Sequence, residues 1–364
     1  MTATRHYHAP DGTFRKVLPR DQARREVAGW KAVSGLLPVP RLWGVRDAAD
    51  DECELIYADV FATGRSTRLL ADSINAADRE PKLAITVRTL VDNICDSLLT
   101  ATHATRSVAP LEECVPDLHL ARLQPGGRLD RWYNNPPPAT WIIDGQQLDL
   151  HDLAGQTIVA DGTELAPGWP LYLAQTRRAL TATSRWITAI TQGDPTEPNI
   201  TEPLCWLDLE HAGRNALAAD LADLLWYLLG MGGWLVPTYQ PRVYQRTLCT
   251  PVPPLATPVI DYLKVTARHI EINYTWHTGT GRHTAIATLI GRLNGDIGTA
   301  LAPGGDVTAS LRPFLALRIL GVIPLHQMTG PHAITCLAKL AELFQPGTTL
   351  NNWSASTRAC CRTT

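Results

Sequence analysis

Several features that would narrow the function at a glance are missing from this chain. Its eight cysteines contain no C-x-x-C pair and no other zinc spacing; only Cys360 and Cys361 are adjacent. That excludes a zinc-finger or zinc-ribbon reading, and with no secretory leader at the N-terminus it predicts reduced thiols in a cytoplasmic protein. The scattered histidines make no H-x-x-x-H ligand pair. Charge is scarce too: charged residues are 19% and the net charge is -2, so no global field favours nucleic acid or an anionic membrane. A long apolar run is also lacking. The most hydrophobic window, LADLLWYLLGMGGWLVP, is interrupted by Gly230, Gly232, Gly233 and Pro237 and is too short to span a bilayer. What the chain does have is a 45% apolar composition over 364 residues, enough for a soluble protein of two lobes sharing a core.

Residues 4–18 read as a hairpin around Pro10-Asp11-Gly12. RDQARREVAGWKAVSGL then places Val27, Trp30 and Val33 at helical spacing, and PVPRLWGVRD and ECELIYADVF follow as two strands. Beyond Gly64 the pattern turns helical, with Leu83, Val87, Leu90, Val91, Ile94 and Leu98 on one face. Residues 109–168 are rich in proline and glycine, with PPP at 136–138. Asp-Gly turns at 144–145 and 161–162 predict small hairpins inserted between helices. LYLAQTRRALTATSRWITAIT reads as a helix, ALAADLADLLWYLLG as a buried helix, and 252–345 as helical again before a polar, flexible tail. The expected class is α+β: a sheet-rich lobe over 1–60, a helical lobe over 61–350 with the hairpin insert at 109–168, and a tail over 351–364.

Residues 191–211, TQGDPTEPNITEPLCWLDLEH, crowd oxygen ligands onto what reads as a tight hairpin. D-x-x-x-x-N followed by an apolar-flanked aspartate is a phosphoryl-transfer pattern. The transferred group carries spread negative charge, so hard oxygen ligands are needed to hold a divalent metal. Asn199 and Asp208 suit Mg²⁺, while a separate carboxylate, Asp194, would take or orient the proton of the attacking hydroxyl. The bland alternative, a polar turn beside an exposed hairpin acid, fits the ordered set of motifs poorly.

QGDPTEPN and WLDLEHAGRNALAADLADLLW resemble the aminoglycoside phosphotransferase and choline kinase family, small-molecule kinases with a protein-kinase-like fold. The resemblance covers about 185–230 and, more weakly, the first sixty residues. It implies Asp194 as catalytic base, Asn199 and Asp208 as metal ligands, Asp220 as a buried support of the catalytic loop, and Glu210 near the metal, near substrate or lining the cleft. In the first lobe it implies Lys16 reaching the α- and β-phosphates, Glu26 holding Lys16, and the adenine lying against the backbone near Tyr57 to Asp59. Two departures stand out. Gln192 replaces the family's histidine before Gly-Asp, and the family's first strand and phosphate-covering loop have no counterpart before Pro10.

The implied activity is transfer of the γ-phosphoryl of ATP, or of another nucleoside triphosphate, to a hydroxyl of a small polar metabolite or antibiotic, with Mg²⁺. Competing readings are a kinase acting on a Ser or Thr hydroxyl of a peptide, and a non-catalytic scaffold binding a protein partner. Asp130, Arg131, Trp132 and Tyr133 in the insert mix charge and rings in a way that suits orienting a polar acceptor. Trp226, Tyr227 and Trp234 read as core rather than as a cage for a quaternary ammonium. Arg20, Arg24 and Arg25 read as a solvated helix face.

Overall fold

The computed structural model describes residues 5–48, 51–114, 119–134, 141–165, 168–242, 257–266, 268–355 and 357–359. The Pro-rich 136–138 and Cys360 and Cys361 lie outside them. The first elements are β1 (Arg5–His8), β2 (Thr13–Pro19), α1 (Arg20–Val33), β3 (Leu42–Asp47) and β4 (Glu52–Ala58), forming a four-stranded antiparallel sheet of order β1-β2-β4-β3. The β1–β2 turn is Pro10-Asp11-Gly12, where Gly12 takes a φ of 75° that an L side chain rarely adopts. The register sets Lys16 opposite His6 on one side and Leu55 on the other. Leu18, Cys53, Leu55 and Tyr57 form a small core with Ala23 of α1. That packing fixes the helix over the sheet, so that Glu26 faces β2.

A larger core is built on the helix Ala84–Thr105, whose Val87, Leu90, Val91, Ile94 and Leu98 are buried as the helical spacing predicts. A three-stranded sheet of Ser107–Pro110, Arg185–Thr191 and Gly213–Ala216 carries the chain into and out of residues 192–212. Behind it lies the helix Leu217–Trp226, every residue of which is buried, continuing as a π-helix over Tyr227–Leu235. Trp226 and Trp234 are core. The organisation is that of an α+β protein with an N-terminal antiparallel sheet and a helical C-terminal part.

Four expectations need correction. The stretch 171–191 is not one helix: the helix Trp169–Ala179 ends, and the strand Arg185–Thr191 follows, because Trp186, Ile187, Thr188, Ile190 and Thr191 favour a strand. Nor is 252–345 helical throughout, since Val259–Val265 and His269–Thr278 are antiparallel strands. The second alternates between partly and fully buried positions, the period-2 signature of a strand with one face on the core. The insert's hairpins turn at Asp144-Gly145 and Asp161-Gly162, yet they are not separate from the core. The strand Thr157–Ala160 runs parallel to His269–Thr278 within a larger sheet. Finally, the polar tail begins as a helix, Leu350–Ser354, with Trp353 buried.

Among the described residues one helix, Val307–Gln327, is long and apolar enough to cross a membrane; 72% of that window is buried inside the protein.

Candidate active site

The strand Arg185–Thr191 leads into the site, and the next residue, Gln192, is fully buried. Its amide joins both halves of the site: Oε1 accepts from the Asp194 N–H at 2.8 Å, while Nε2 donates to the carbonyls of Leu207 at 2.9 Å and Asp208 at 2.8 Å. Gln192 is thus a bonded clamp between the two segments. Gly193 follows with φ 88°, and a Cβ there would sit 2.1 Å from the His211 carbonyl oxygen. Only glycine lets the two segments approach this closely.

Residues 194–208 do not form the expected hairpin. Within the stretch the ladder is one isolated bridge, Ile200 to Trp206, while the two-residue strand Thr201–Glu202 pairs with Arg68–Leu69 instead. Pro195, Pro198 and Pro203 supply no N–H and break it. Rigidity comes instead from side chains. Asn199 Nδ2 donates to the Asp194 carbonyl at 3.0 Å and lies 3.4 Å from its Oδ2, which leaves the amide oxygen of Asn199 available. The Leu207 N–H donates to the Asn199 carbonyl at 2.8 Å, bringing Asp208 alongside. Asp208 has φ 52°, a left-handed conformation that costs a non-glycine residue energy and is held by its surroundings.

The first lobe meets these residues at Lys16. Its Nζ donates to Glu26 Oε2 at 2.6 Å and to Asp208 Oδ1 at 2.5 Å, and the Tyr57 hydroxyl donates to Glu26 Oε1 at 3.1 Å. Burial alone would lower the lysine's pKa, but the two carboxylates outweigh it and the pKa rises. Burial raises the pKa of Glu26, with Lys16 opposing it; partial loss of water works against the half-exposed Asp208 carboxylate too, yet Lys16 holds that group below its usual range. α1 comes close enough for this because a Cβ on Gly29 would lie 2.0 Å from the Leu209 carbonyl oxygen. Glu210 does not face this cleft. It accepts from Gln22 and from Arg25, at 2.5 and 2.7 Å, and so fastens α1 to the segment after Asp208.

Lys16, Glu26, Tyr57, Asp59, Asn199 and Asp208 all line one cavity of about 570 Å³. Asp59 closes one wall, accepting from the N–H groups of Phe61 and Ala62 and lying 2.5 Å from His8 Nδ1. The Asn199 amide oxygen and the half-exposed Asp208 carboxylate fit Mg²⁺, which takes few protein ligands and keeps several waters. Among the described residues no group of three His, Cys, Asp or Glu side chains could hold a metal.

Asp194 is bonded by a residue that no motif announced. Arg318, in the helix Val307–Gly321, donates from Nη2 to Asp194 Oδ1 at 2.9 Å, and its Nε pairs with Asp223. A lone arginine within the apolar run LALRILG was the available signal. Asp220 is buried under the loop beside Thr191 and Gly193; burial pushes its carboxyl up to about 7, with the Thr191 hydroxyl pulling the other way. The insert's tetrad is engaged within the protein. Tyr133 is buried with its hydroxyl on the Leu320 carbonyl, Asp130 and Arg131 bond the Gly126 backbone, and Trp132 lies under Arg128.

No protein-family model matches the chain, and no curated protein matches it. Solved structures of small-molecule kinases do. The chain is similar to an aminoglycoside phosphotransferase from Streptomyces rimosus ATCC10970, at 18% identity over 69% of this chain and 84% of that one, with a TM-score of 0.36. It is also similar to a glucosamine kinase, at 13% identity over 98% of this chain and 75% of that one, with a TM-score of 0.34. The first has been seen with ADP and streptomycin, the second with glucosamine, ADP and inorganic phosphate. At such identities and scores the likeness is too distant to assign this chain an activity.

Proposed function

We propose that the protein is a phosphotransferase that moves the γ-phosphoryl group of ATP, or of another nucleoside triphosphate, to a hydroxyl of a small polar molecule. The observation that carries this reading is the position of Lys16, held between Glu26 and Asp208 on the wall of a cavity whose other side is Asn199, with Asp194 next to Asn199. A structural ion pair has no use for an aspartate in a left-handed conformation, an amide with a free oxygen and a separate carboxylate side by side.

The cavity would take the nucleotide with its base toward Tyr57 and Asp59 and its phosphates toward Lys16. Glu26 keeps the Lys16 ammonium charged and aimed. Asn199 and Asp208 would hold Mg²⁺, which neutralises charge on the phosphate oxygens. Asp194 accepts the proton of the acceptor hydroxyl through Oδ2, because Oδ1 is held by Arg318. Gln192 ties the Asp194 N–H to the Asp208 carbonyl, so base and metal mount keep one spacing.

The test is a phosphate-transfer screen with nucleoside triphosphates over a panel of hydroxyl acceptors. Asp194→Asn should lower turnover by ~10²- to 10⁴-fold, the usual contribution of a positioned base, while leaving the melting temperature nearly unchanged. Asp208→Asn should remove the extra thermal stabilisation that MgATP gives over ATP alone. No transfer to any acceptor, together with equal melting shifts by MgATP in wild type and Asp208→Asn, would sink the reading.

A further inference from the structure

We infer that the acceptor carries an anionic group, a carboxylate or a phosphate ester, close to its reacting hydroxyl, and that Arg122 binds that group beside Asp194. This rests on the phosphotransferase reading above.

Arg122 sits on the short helix Leu120–Leu123 with 7% of its surface exposed. Its side chain has no hydrogen bond or ion pair among the described residues, and its Nη1 is buried without a partner. It lies along the helix Val307–Gly321, where a Cβ on Gly321 would meet its Cδ at 3.6 Å. One turn back along that helix is Arg318, which donates to Asp194. Another turn back is Phe314, against which the buried His119 packs edge-on at 5.3 Å. His119 Nδ1 is also without a partner. Arg122 and His119 therefore flank Arg318 along one side of the helix; Arg318 reaches the proposed base, and the charge of Asp194 also favours the charged form of Arg122.

Among the described residues the two neighbouring guanidiniums have partners, and that of Arg122 has none. Arg318 is shared between Asp194 and Asp223. Arg128 gives Nη1 to the Gly321 carbonyl at 2.9 Å and stacks on Trp132. That contact also disposes of the plain alternative, in which Arg122 merely caps the end of the Val307–Gly321 helix. The helix end has its cation in Arg128, and a terminal dipole stabilises far less than burying a bare guanidinium costs. Burial, with Arg318 and Arg128 nearby, drives the pKa of Arg122 well below its ordinary value. A bound anion would reverse each of these penalties. The guanidinium of Arg122 suits the oxygens of a carboxylate or phosphate, and His119 offers a ring nitrogen beside it. Asp194, at the edge of this cluster, keeps 24% of its side-chain surface open to solvent. An acceptor bearing only amines would instead meet like charge here.

The experiment uses the full chain, with glycerate and inorganic phosphate as anionic probes and glyceramide as the neutral match for glycerate. Without ligand, Arg122→Gln should melt at or above wild type, because it removes an uncompensated charge. Glycerate or phosphate should raise the wild-type melting temperature saturably, and Arg122→Gln should need at least tenfold more of either. Lys16→Met should leave that response in place, which separates this site from the nucleotide phosphates. For any acceptor found by the transfer screen, exchanging its anionic group for an amide should raise KM at least tenfold in wild type and not in Arg122→Gln. The inference is overturned if neither anion shifts wild type saturably, if both proteins respond alike, if Lys16→Met abolishes the response, or if Arg122→Gln melts well below wild type. Saturable binding that depends on Arg122, with no transfer from any nucleotide, would uphold the anion site and reject the phosphotransferase reading instead.

Discussion

Gln192 makes three hydrogen bonds from a fully buried amide, and each ends on a backbone group of a segment that carries a site residue. Removing them strands one N–H and two carbonyls, at about 1–3 kcal/mol for each group left unsatisfied. Gln192→Leu should therefore cost several kcal/mol in urea denaturation, and turnover should fall more than nucleotide affinity because Asp194 loses its tether. Unchanged denaturation would show that water replaces the amide. Asp220 gives a second residue-scale expectation, in pH. Burial pushes its carboxyl up to about 7 in the fold, against about 3.9 in an unfolded chain. Between those values the unfolded state releases the proton and the folded state keeps it. Stability is thus full below about pH 4 and falls as pH rises toward 7, by roughly 1.4 kcal/mol per unit at most. Asp220→Asn has no such proton to lose. The gap in melting temperature, variant minus wild type, should widen from pH 5 to pH 7 and then stay level; a gap independent of pH would mean that Asp220 is ionised throughout.

At the scale of elements, the proposed catalytic loop is held from behind as well as from in front. Arg282, in the helix Thr280–Leu293, donates to both oxygens of the buried Glu197, at 2.5 and 3.1 Å, and to the Leu228 carbonyl at 2.8 Å. Glu197 lies between Asp194 and Asn199, so this pair ties the loop to a helix and to the π-helix at once. Arg282→Met should destabilise by ~3–5 kcal/mol, because it leaves a carboxylate buried alone. Adding Glu197→Gln should recover a large part of that loss; strict additivity of the two changes in a denaturation cycle would deny the coupling. The same scale shows what could be read in advance. The turns at Asp144-Gly145 and Asp161-Gly162 were legible because both residues of each take positive φ, a demand that few residue pairs meet. The elements of the first sixty residues were legible for a similar reason, through a turn signal and helical spacing. The strands Val259–Val265 and His269–Thr278 were misread because helical patterns flank them, although the alternation in HIEINYTWHT is period-2. Within the site, Asp194, Asn199 and Asp208 share one stretch of chain and so share a motif. Arg318 arrives from 124 residues away, and nothing local marks its partner.

Over the whole molecule the informative segment is 141–165, whose sequence suggests a replaceable decoration. Its strand Thr157–Ala160 is instead an interior member of a sheet, paired with Thr163–Leu165 on one side and His269–Thr278 on the other. Its side chains enter the main core: Trp141, Ile143, Leu148, Leu150, Leu153, Ile158 and Leu165 are each less than a tenth exposed. The Trp141 Nε1–H also donates to the Met328 carbonyl at 2.9 Å, joining the segment to the chain just before the helix Gly330–Leu343. Fully burying one large apolar side chain contributes about 1.5–3 kcal/mol. Seven of them together rival or exceed the ~5–15 kcal/mol that separates a whole domain from its unfolded state. Replacing 141–165 with a short Gly/Ser linker should therefore abolish cooperative folding rather than tune acceptor binding. It should also leave an unpaired edge on His269–Thr278, which favours aggregation. Soluble yield and a calorimetric melt decide the matter. A soluble variant with a sharp transition near that of wild type would show that the segment rests on the core without supporting it.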